Sequence, residues 1–189
     1  MTNESTLLAL HPDRLFSSDA AVIKVARELY ESVKDLPIIS PHGHTDPRWF
    51  NENENFGNAT ELFLKPDHYV FRMLYSQGVK LTDLGIPQHG EQGDLASSKA
   101  ADPTKAWQIF ADNYHLFAGT PSGYWLDSVF CDVFGFKEKL CSANAQHYYQ
   151  EITAQLATPA FKPHALMDRF NIEFIATTEG ALDDLKHHR

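Results

Sequence analysis

His42 and His44, separated only by Gly43, are the residues of this chain best suited to do chemistry. In an extended segment side chains alternate faces, so residues two apart point the same way. Both imidazoles can then address one ion, with Gly43 leaving the space between them open. Imidazole is the commonest protein ligand for zinc and similar ions. An H-x-H pair arises readily by chance in a chain with ten histidines, and the plain alternative is two turn histidines, one of them capping a backbone carbonyl. Position favours the metal reading. The pair follows the apolar run Leu36-Pro37-Ile38-Ile39, and loops at the C-terminal ends of strands are where barrel enzymes build active sites. Asp46, Pro47 and Trp49 come next, and a carboxylate that close can fix imidazole tautomers from behind.

The elements that must hold such a pair are read from periodicity. Val22, Val25, Ala26, Leu29, Tyr30 and Val33 repeat at a helical period over 19–34, with Asp19 as the N-cap. Asp35 and Pro37 end that helix, and Pro37 to Ser40 suits a buried parallel strand better than a helix of four residues. A short helix is predicted at 59–64, and a second starts from Asp67 as cap and runs to Gly78, with His68 and Tyr69 in its first turn. Residues 85–101, rich in Gly and Ser without periodicity, read as an exposed and mobile loop.

Asp102-Pro103 and Thr120-Pro121 each pair an N-cap with proline at the first helical position, where its missing N–H costs nothing. The first helix places Trp107, Phe110, Ala111, Tyr114 and Phe117 on one face, and the second places Trp125, Val129, Phe130 and Val133 on one face, ending at Gly135. Burial alone explains both stripes. Another helix over 144–157 turns Tyr148, Ile152 and Leu156 inward, and Ile172 to Thr177 is a second strand. About 125 residues therefore separate the strands, where a simple crossover needs about a dozen, so most of them form an insertion with its own small core.

Composition narrows the function classes. With 43% hydrophobic and 22% charged residues the chain reads as an ordinary globular protein. A net charge of -9 argues against nucleic acid as a partner, because that affinity rests on Lys and Arg neutralising phosphates; a local Arg or helix N-terminus can still hold a small anion. Cys131 and Cys141 show neither a disulfide framework nor metal-ligand spacing. No targeting segment or membrane span is evident, so the expected location is cytoplasmic.

Leu36 to His44, Pro66 to Leu74, Phe170 to Gly180 and Leu185 to His188, in that order and spacing, resemble the uronate isomerase (glucuronate isomerase) family, a divergent branch of the amidohydrolase superfamily. The resemblance implies an α/β fold: a TIM-type (β/α)₈ metal-dependent hydrolase-like barrel, of which this mostly helical chain would hold the first two strands and a large helical insertion. Such a barrel takes about 250 residues, so 1–189 is expected to be the N-terminal part of one catalytic barrel domain. Residues 1–50 would form the first helix and strand, 51–169 the insertion, and 170–189 the second strand and the start of its helix.

The implied reaction is aldose–ketose isomerisation of D-glucuronate to D-fructuronate, and of D-galacturonate to D-tagaturonate. His42 and His44 match the family's metal ligands, zinc being the expected divalent ion. His68 and Tyr69 match its substrate-side His-Tyr pair, against the alternative that Tyr69 merely packs its ring. Arg72 and the strand-end trio Thr177, Thr178 and Glu179 are weaker candidates; Thr178 reads equally as the N-cap of a helix from Ala181, and His187 and His188 as solvated helix residues. The remaining functional residues belong to later strands, so the chain alone is expected to be inactive. The complete protein is expected to be a homo-oligomer acting on a small uronate. Two other readings remain: a metal-dependent hydrolase of the same superfamily, and a non-catalytic helical interaction module. The module requires that the two strands be absent, or not adjacent and parallel.

Overall fold

The computed structural model describes residues 6–86 and 102–189; residues 87–101, most of the predicted exposed loop, lie outside the described residues. The chain divides into two compact units. One comprises the N-terminal segment to Leu10 together with Phe56–Ala157, and the other His11–Asn55 together with Thr158–Arg189.

The first unit is helical: α3 (His68–Ser76), α4 (Pro103–Asp112), α5 (Pro121–Ser128) and α6 (Ala145–Leu156), with wide π-type turns at Thr60–Leu64 and Val129–Val133. The helix starts follow their caps. Asp67 Oδ1 accepts from the Tyr69 and Val70 amides, Asp102 Oδ1 from Thr104, and Thr120 Oγ1 from Gly123, satisfying N–H groups that have no partner inside the helix. Gly123 is required for a second reason. A Cβ there would stand 2.1 Å from the Phe117 carbonyl oxygen, so the first turn of α5 can close on that backbone only without a side chain.

Trp107, Phe110, Phe117, Phe130 and Tyr148 are fully buried in this unit. Phe130 meets Tyr148 edge to face at 5.3 Å, and Phe136 stacks on Tyr148 at 3.6 Å. The polar ends of the buried rings are partnered: Trp107 Nε1 donates to Ala145 O at 3.0 Å, Tyr114 to Asp127 at 2.8 Å, and Tyr148 to Glu138 O. Burial, reinforced by Asp127, pushes the Tyr114 and Tyr148 phenols up, so both remain neutral donors. The predicted α5 stripe needs one correction. Trp125 is 44% exposed, and Leu126 is the buried residue in its place. The turn at Val129–Val133 is wider than an α-helical one, so a 3.6-residue count carried back from Phe130 and Val133 picks the wrong face.

The second unit contains α1 (Ala20–Glu31), β1 (Ile38–Ser40), α2 (Pro47–Glu52), α7 (Pro163–Arg169) and β2 (Ile172–Ile175). β1 and β2 pair in parallel, with Ile38 against Ile172, Ile39 against Phe174 and Ser40 against Ile175, and an irregularity after Ile38. Amide donation from Ile38 to Asn171 O at 2.8 Å and from Ala176 to Ser40 O at 2.9 Å closes the pair at its two ends. This pairing overturns the all-helical module. Burial differs from expectation: Ile38, Ile39 and Phe174 are 49%, 62% and 54% exposed, and α1 buries none of its residues. The sheet has two strands, and among the described residues α7 packs against β2 while Ile38, Ile39 and Phe174 stay open, on faces that a parallel sheet ordinarily buries.

Candidate functional site

Beyond the C-terminal end of β1, His42 and His44 turn their rings toward each other. Their Nε2 atoms are 3.2 Å apart, and the rings stand nearly perpendicular with centroids at 4.9 Å. Two nitrogens bound at 2.0–2.1 Å to one tetrahedral ion would stand about 3.3–3.4 Å apart, close to the spacing here. The donors therefore fit a zinc-like ion in type and spacing. Among the described residues no group of three or more His, Cys, Asp or Glu side chains converges to hold an ion. The pair thus supplies two of the three protein ligands usual at a catalytic zinc.

The loop carrying the pair is held by backbone acceptors. Ser40 Oγ donates to His42 O at 3.1 Å, and Thr178 Oγ1 donates to Gly43 O at 2.7 Å. A Cβ on Gly43 would lie 3.0 Å from Ala176 O, so the glycine lets the loop lie against the end of β2. Asp46 takes a different part from the one expected. Its Oδ1 caps α2 through the Arg48 amide at 2.9 Å, and its Oδ2 accepts from Arg48 Nε at 2.9 Å and Nη2 at 2.6 Å. The Arg48 guanidinium holds the Asp46 carboxyl below its usual range. With both oxygens engaged on Arg48, Asp46 anchors the helix start and does not set the tautomers of the histidines.

The end of β2 departs further from expectation. No helix starts at Ala181: a short 3₁₀ turn at Lys186–His188 follows instead, and the Thr178 side chain is directed to Gly43. His188 is not simply solvated. Its Nε2 is 2.8 Å from Thr177 Oγ1 and 3.7 Å from Glu179 Oε1. His187 is half-buried and its Nδ1 is enclosed.

His68 and Tyr69 belong to the helical unit. They open α3 with their ring centroids 4.2 Å apart and the planes tilted by 33°, and both are exposed, Tyr69 to 67%. Among the described residues nothing buries the Tyr69 ring. Arg72, one turn on, is exposed. Of the carboxylates near it in sequence, Glu61 pairs with Lys65 at 2.7 Å and Asp67 caps α3. Also in this unit, a cleft of about 600 Å³ is lined by Tyr114, His115, Tyr124, Asp127 and Lys139. Of its charged groups Lys139 lies 3.1 Å from Asp127, and Asp112 accepts from Gln108 Nε2 at 2.8 Å. The convergent donors lie instead at the strand ends.

Parallel strands with convergent imidazoles beyond their C-terminal ends define an α/β protein whose candidate site sits at a strand terminus. Comparison with known proteins makes this specific. The family profile described as glucuronate isomerase matches residues 18–189, and the chain belongs to that family. It is 58% identical over 184 residues to a uronate isomerase of Xanthomonas euvesicatoria, covering 97% of this chain and 38% of that protein. It is 56% identical over 182 residues to one of Phenylobacterium zucineum, covering 96% and 37%.

Among solved structures it resembles glucuronate isomerase from Caulobacter crescentus with a TM-score of 0.90 and 56% identity, over 97% of this chain and 37% of that one. Uronate isomerase from Thermotoga maritima follows with a TM-score of 0.77 and 25% identity, over 95% and 36%. The chain spans little more than a third of the length of the relatives it matches.

Proposed function

We propose that this chain forms part of a uronate isomerase that interconverts D-glucuronate with D-fructuronate and D-galacturonate with D-tagaturonate. The observation that carries the reading is the 58% identity to a uronate isomerase across 97% of the chain. The same observation favours isomerase over hydrolase, since the relatives and structures it matches carry the isomerase name.

The reaction moves a proton between C1 and C2 through an enediol, and two of its demands, polarisation of a substrate oxygen and a hydrogen bond to it, have candidate residues here. His42 and His44 would hold a divalent ion, zinc by donor type, and such an ion when bound supplies Lewis-acid polarisation of substrate oxygen. Tyr69 offers an exposed phenol that can donate a hydrogen bond to a substrate oxygen or relay a proton. A phenol hydroxyl carries a proton it can donate, so its natural part is donation. His68, its ring tilted against that of Tyr69 at 4.2 Å, limits the orientations of that ring.

Within the same reading, β1 and β2 are the first two strands of a (β/α)₈ barrel of the amidohydrolase superfamily. Their parallel pairing and the strand-end histidines support this, as do the uncovered faces of Ile38, Ile39 and Phe174, which further strands and helices would bury. The complete protein is then a cytoplasmic homo-oligomer acting on small uronates. No helix among the described residues is long and apolar enough to cross a membrane.

The test is uronate isomerisation by the full-length protein beside His42→Ala and His44→Ala. The reading expects wild-type turnover of glucuronate or galacturonate and its near-complete loss in both variants. Wild-type protein that turns over neither uronate would overturn the assignment, and unaltered turnover in the variants would remove the histidines from the site.

A further inference from the structure

We propose that Thr178 is the positioning residue of the histidine pair: its hydroxyl, by holding the Gly43 carbonyl, fixes the loop in the one conformation that brings the His42 and His44 rings together. The ion-binding purpose of that pair rests on the function proposed above; the positioning itself does not.

Three observations converge on this role. The Thr178 Oγ1 to Gly43 O bond is 2.7 Å, a well-formed O–H···O contact, and its acceptor belongs to the residue between the two histidines. Gly43 and Ala176 approach so closely that a Cβ on Gly43 would meet Ala176 O at 3.0 Å, so loop and strand end share a tight backbone contact with little room to slide. The preceding carbonyl, His42 O, is held by Ser40 Oγ at 3.1 Å.

Consecutive carbonyls flanking the Gly43 amide are thus pinned, one from β1 and one from beyond β2. The Ser40 contact spans two residues and follows the loop wherever it goes. The Thr178 contact spans 135 residues and ties the loop to the second strand. Glycine is the most permissive residue in backbone conformation, so without an outside tether rotation about Gly43 would carry His44 away from His42. A valine at 178 keeps the shape of threonine but cannot donate, leaving the Gly43 carbonyl without its partner. A serine keeps the donor.

The experiment compares wild type, Thr178→Val, Thr178→Ser and Thr178→Ala in the full chain, first without metal, by NMR. Wild type should show nuclear Overhauser contacts between the His42 and His44 ring protons. Serine should keep them; valine and alanine should lose them while the β1–β2 amide contacts persist. Absence of the ring contacts in wild type, or their survival in both valine and alanine, overturns the proposal. Should valine disrupt the strand pair, alanine and serine decide the outcome.

Titration with Co²⁺ then separates the positioning role from the ion reading. The valine variant should bind about tenfold more weakly than wild type, the lower end of effects from residues supporting metal ligands, with serine restoring affinity. Wild type that binds Co²⁺ no better than a His42→Ala/His44→Ala double variant would sink the ion reading, while the ring contacts would still decide whether Thr178 positions the pair.

Discussion

Phe130 and Phe174 are the same side chain in opposite circumstances. Phe130 is fully buried in the helical unit, with aromatic rings packed around it; Phe174, on β2 in the other unit, is 54% exposed. The contrast extends to each unit as a whole. In the first, α4 and α6 cover their apolar faces and buried rings find partners for their polar ends. In the second, α1 and both strands leave apolar surface open, and order comes from short polar contacts: Asp46 with Arg48, Ser40 with His42, Thr178 with Gly43. A closed core sustains itself through packing, whereas a strand-end site must keep its donors exposed to ligand and therefore relies on hydrogen bonds to hold its loops.

The sharpest way to break that comparison is to truncate one apolar residue in each unit. Trp107→Ala removes a fully buried ring and its hydrogen bond to Ala145 O, and should cost about 3–5 kcal/mol in urea unfolding. Phe174→Ala in the same chain should stay within about 0.5 kcal/mol, as for surface positions. Comparable losses at both sites would mean that the second unit buries Phe174 in solution.

The next effect is catalytic. In the full-length protein Tyr69→Phe should lower isomerisation roughly a hundredfold through loss of one polarising or proton-relaying contact, with the melting temperature unchanged because Tyr69 is exposed. Undiminished turnover would leave α3 a structural helix.

How far the sequence revealed these features depended on how local their causes are. Caps at Asp19, Asp67, Asp102 and Thr120 act within three residues, so their chemistry is legible in a short window. The parallel pairing of Ile38–Ser40 with the segment from Ile172 was legible as well, because two apolar runs with turn residues around them have few other uses. Trp125 was misassigned because a π-type turn leaves no periodicity of its own. Thr178 has the form of a helix cap, and nothing near it in sequence reveals an acceptor at Gly43. Asp46 looked like a partner for histidine, yet Arg48, two residues along, is nearer to hand. Burial at α1 and β1 was overestimated because an apolar stripe records what a face can cover, not what covers it.

Gly43→Ala sharpens the comparison from the site side. The added Cβ meets Ala176 O at 3.0 Å, a backbone atom that the β1–β2 pairing holds in place, so loop or strand must shift. Overpacking of this kind costs about 1–3 kcal/mol. The expected sign is faster hydrogen exchange at the Ala176 amide, which donates to Ser40 O, with the exchange of α4 and α6 amides unchanged. Equal acceleration in the helices would show that the two units unfold together.

The smallest effect should come from Asp46 and Arg48. Their charges lie at the surface, with the side chains 30% and 57% exposed, so solvent screens the pair and its worth is at most about 1 kcal/mol. Because Arg48 holds the Asp46 carboxyl low in the folded chain, the contribution is present above the unfolded value of about 3.9 and disappears as pH falls through the lower folded value. Asp46→Asn retains an oxygen that can cap α2 but removes the charge. Wild type should therefore be slightly more stable than the variant at neutral pH, and the gap should narrow steadily on acidification below the ordinary aspartate range. A gap that persisted in acid would assign the effect to the cap rather than the charge; one that widened would mean that Asp46 is not held low, and that Arg48 is not what anchors the loop beyond His44.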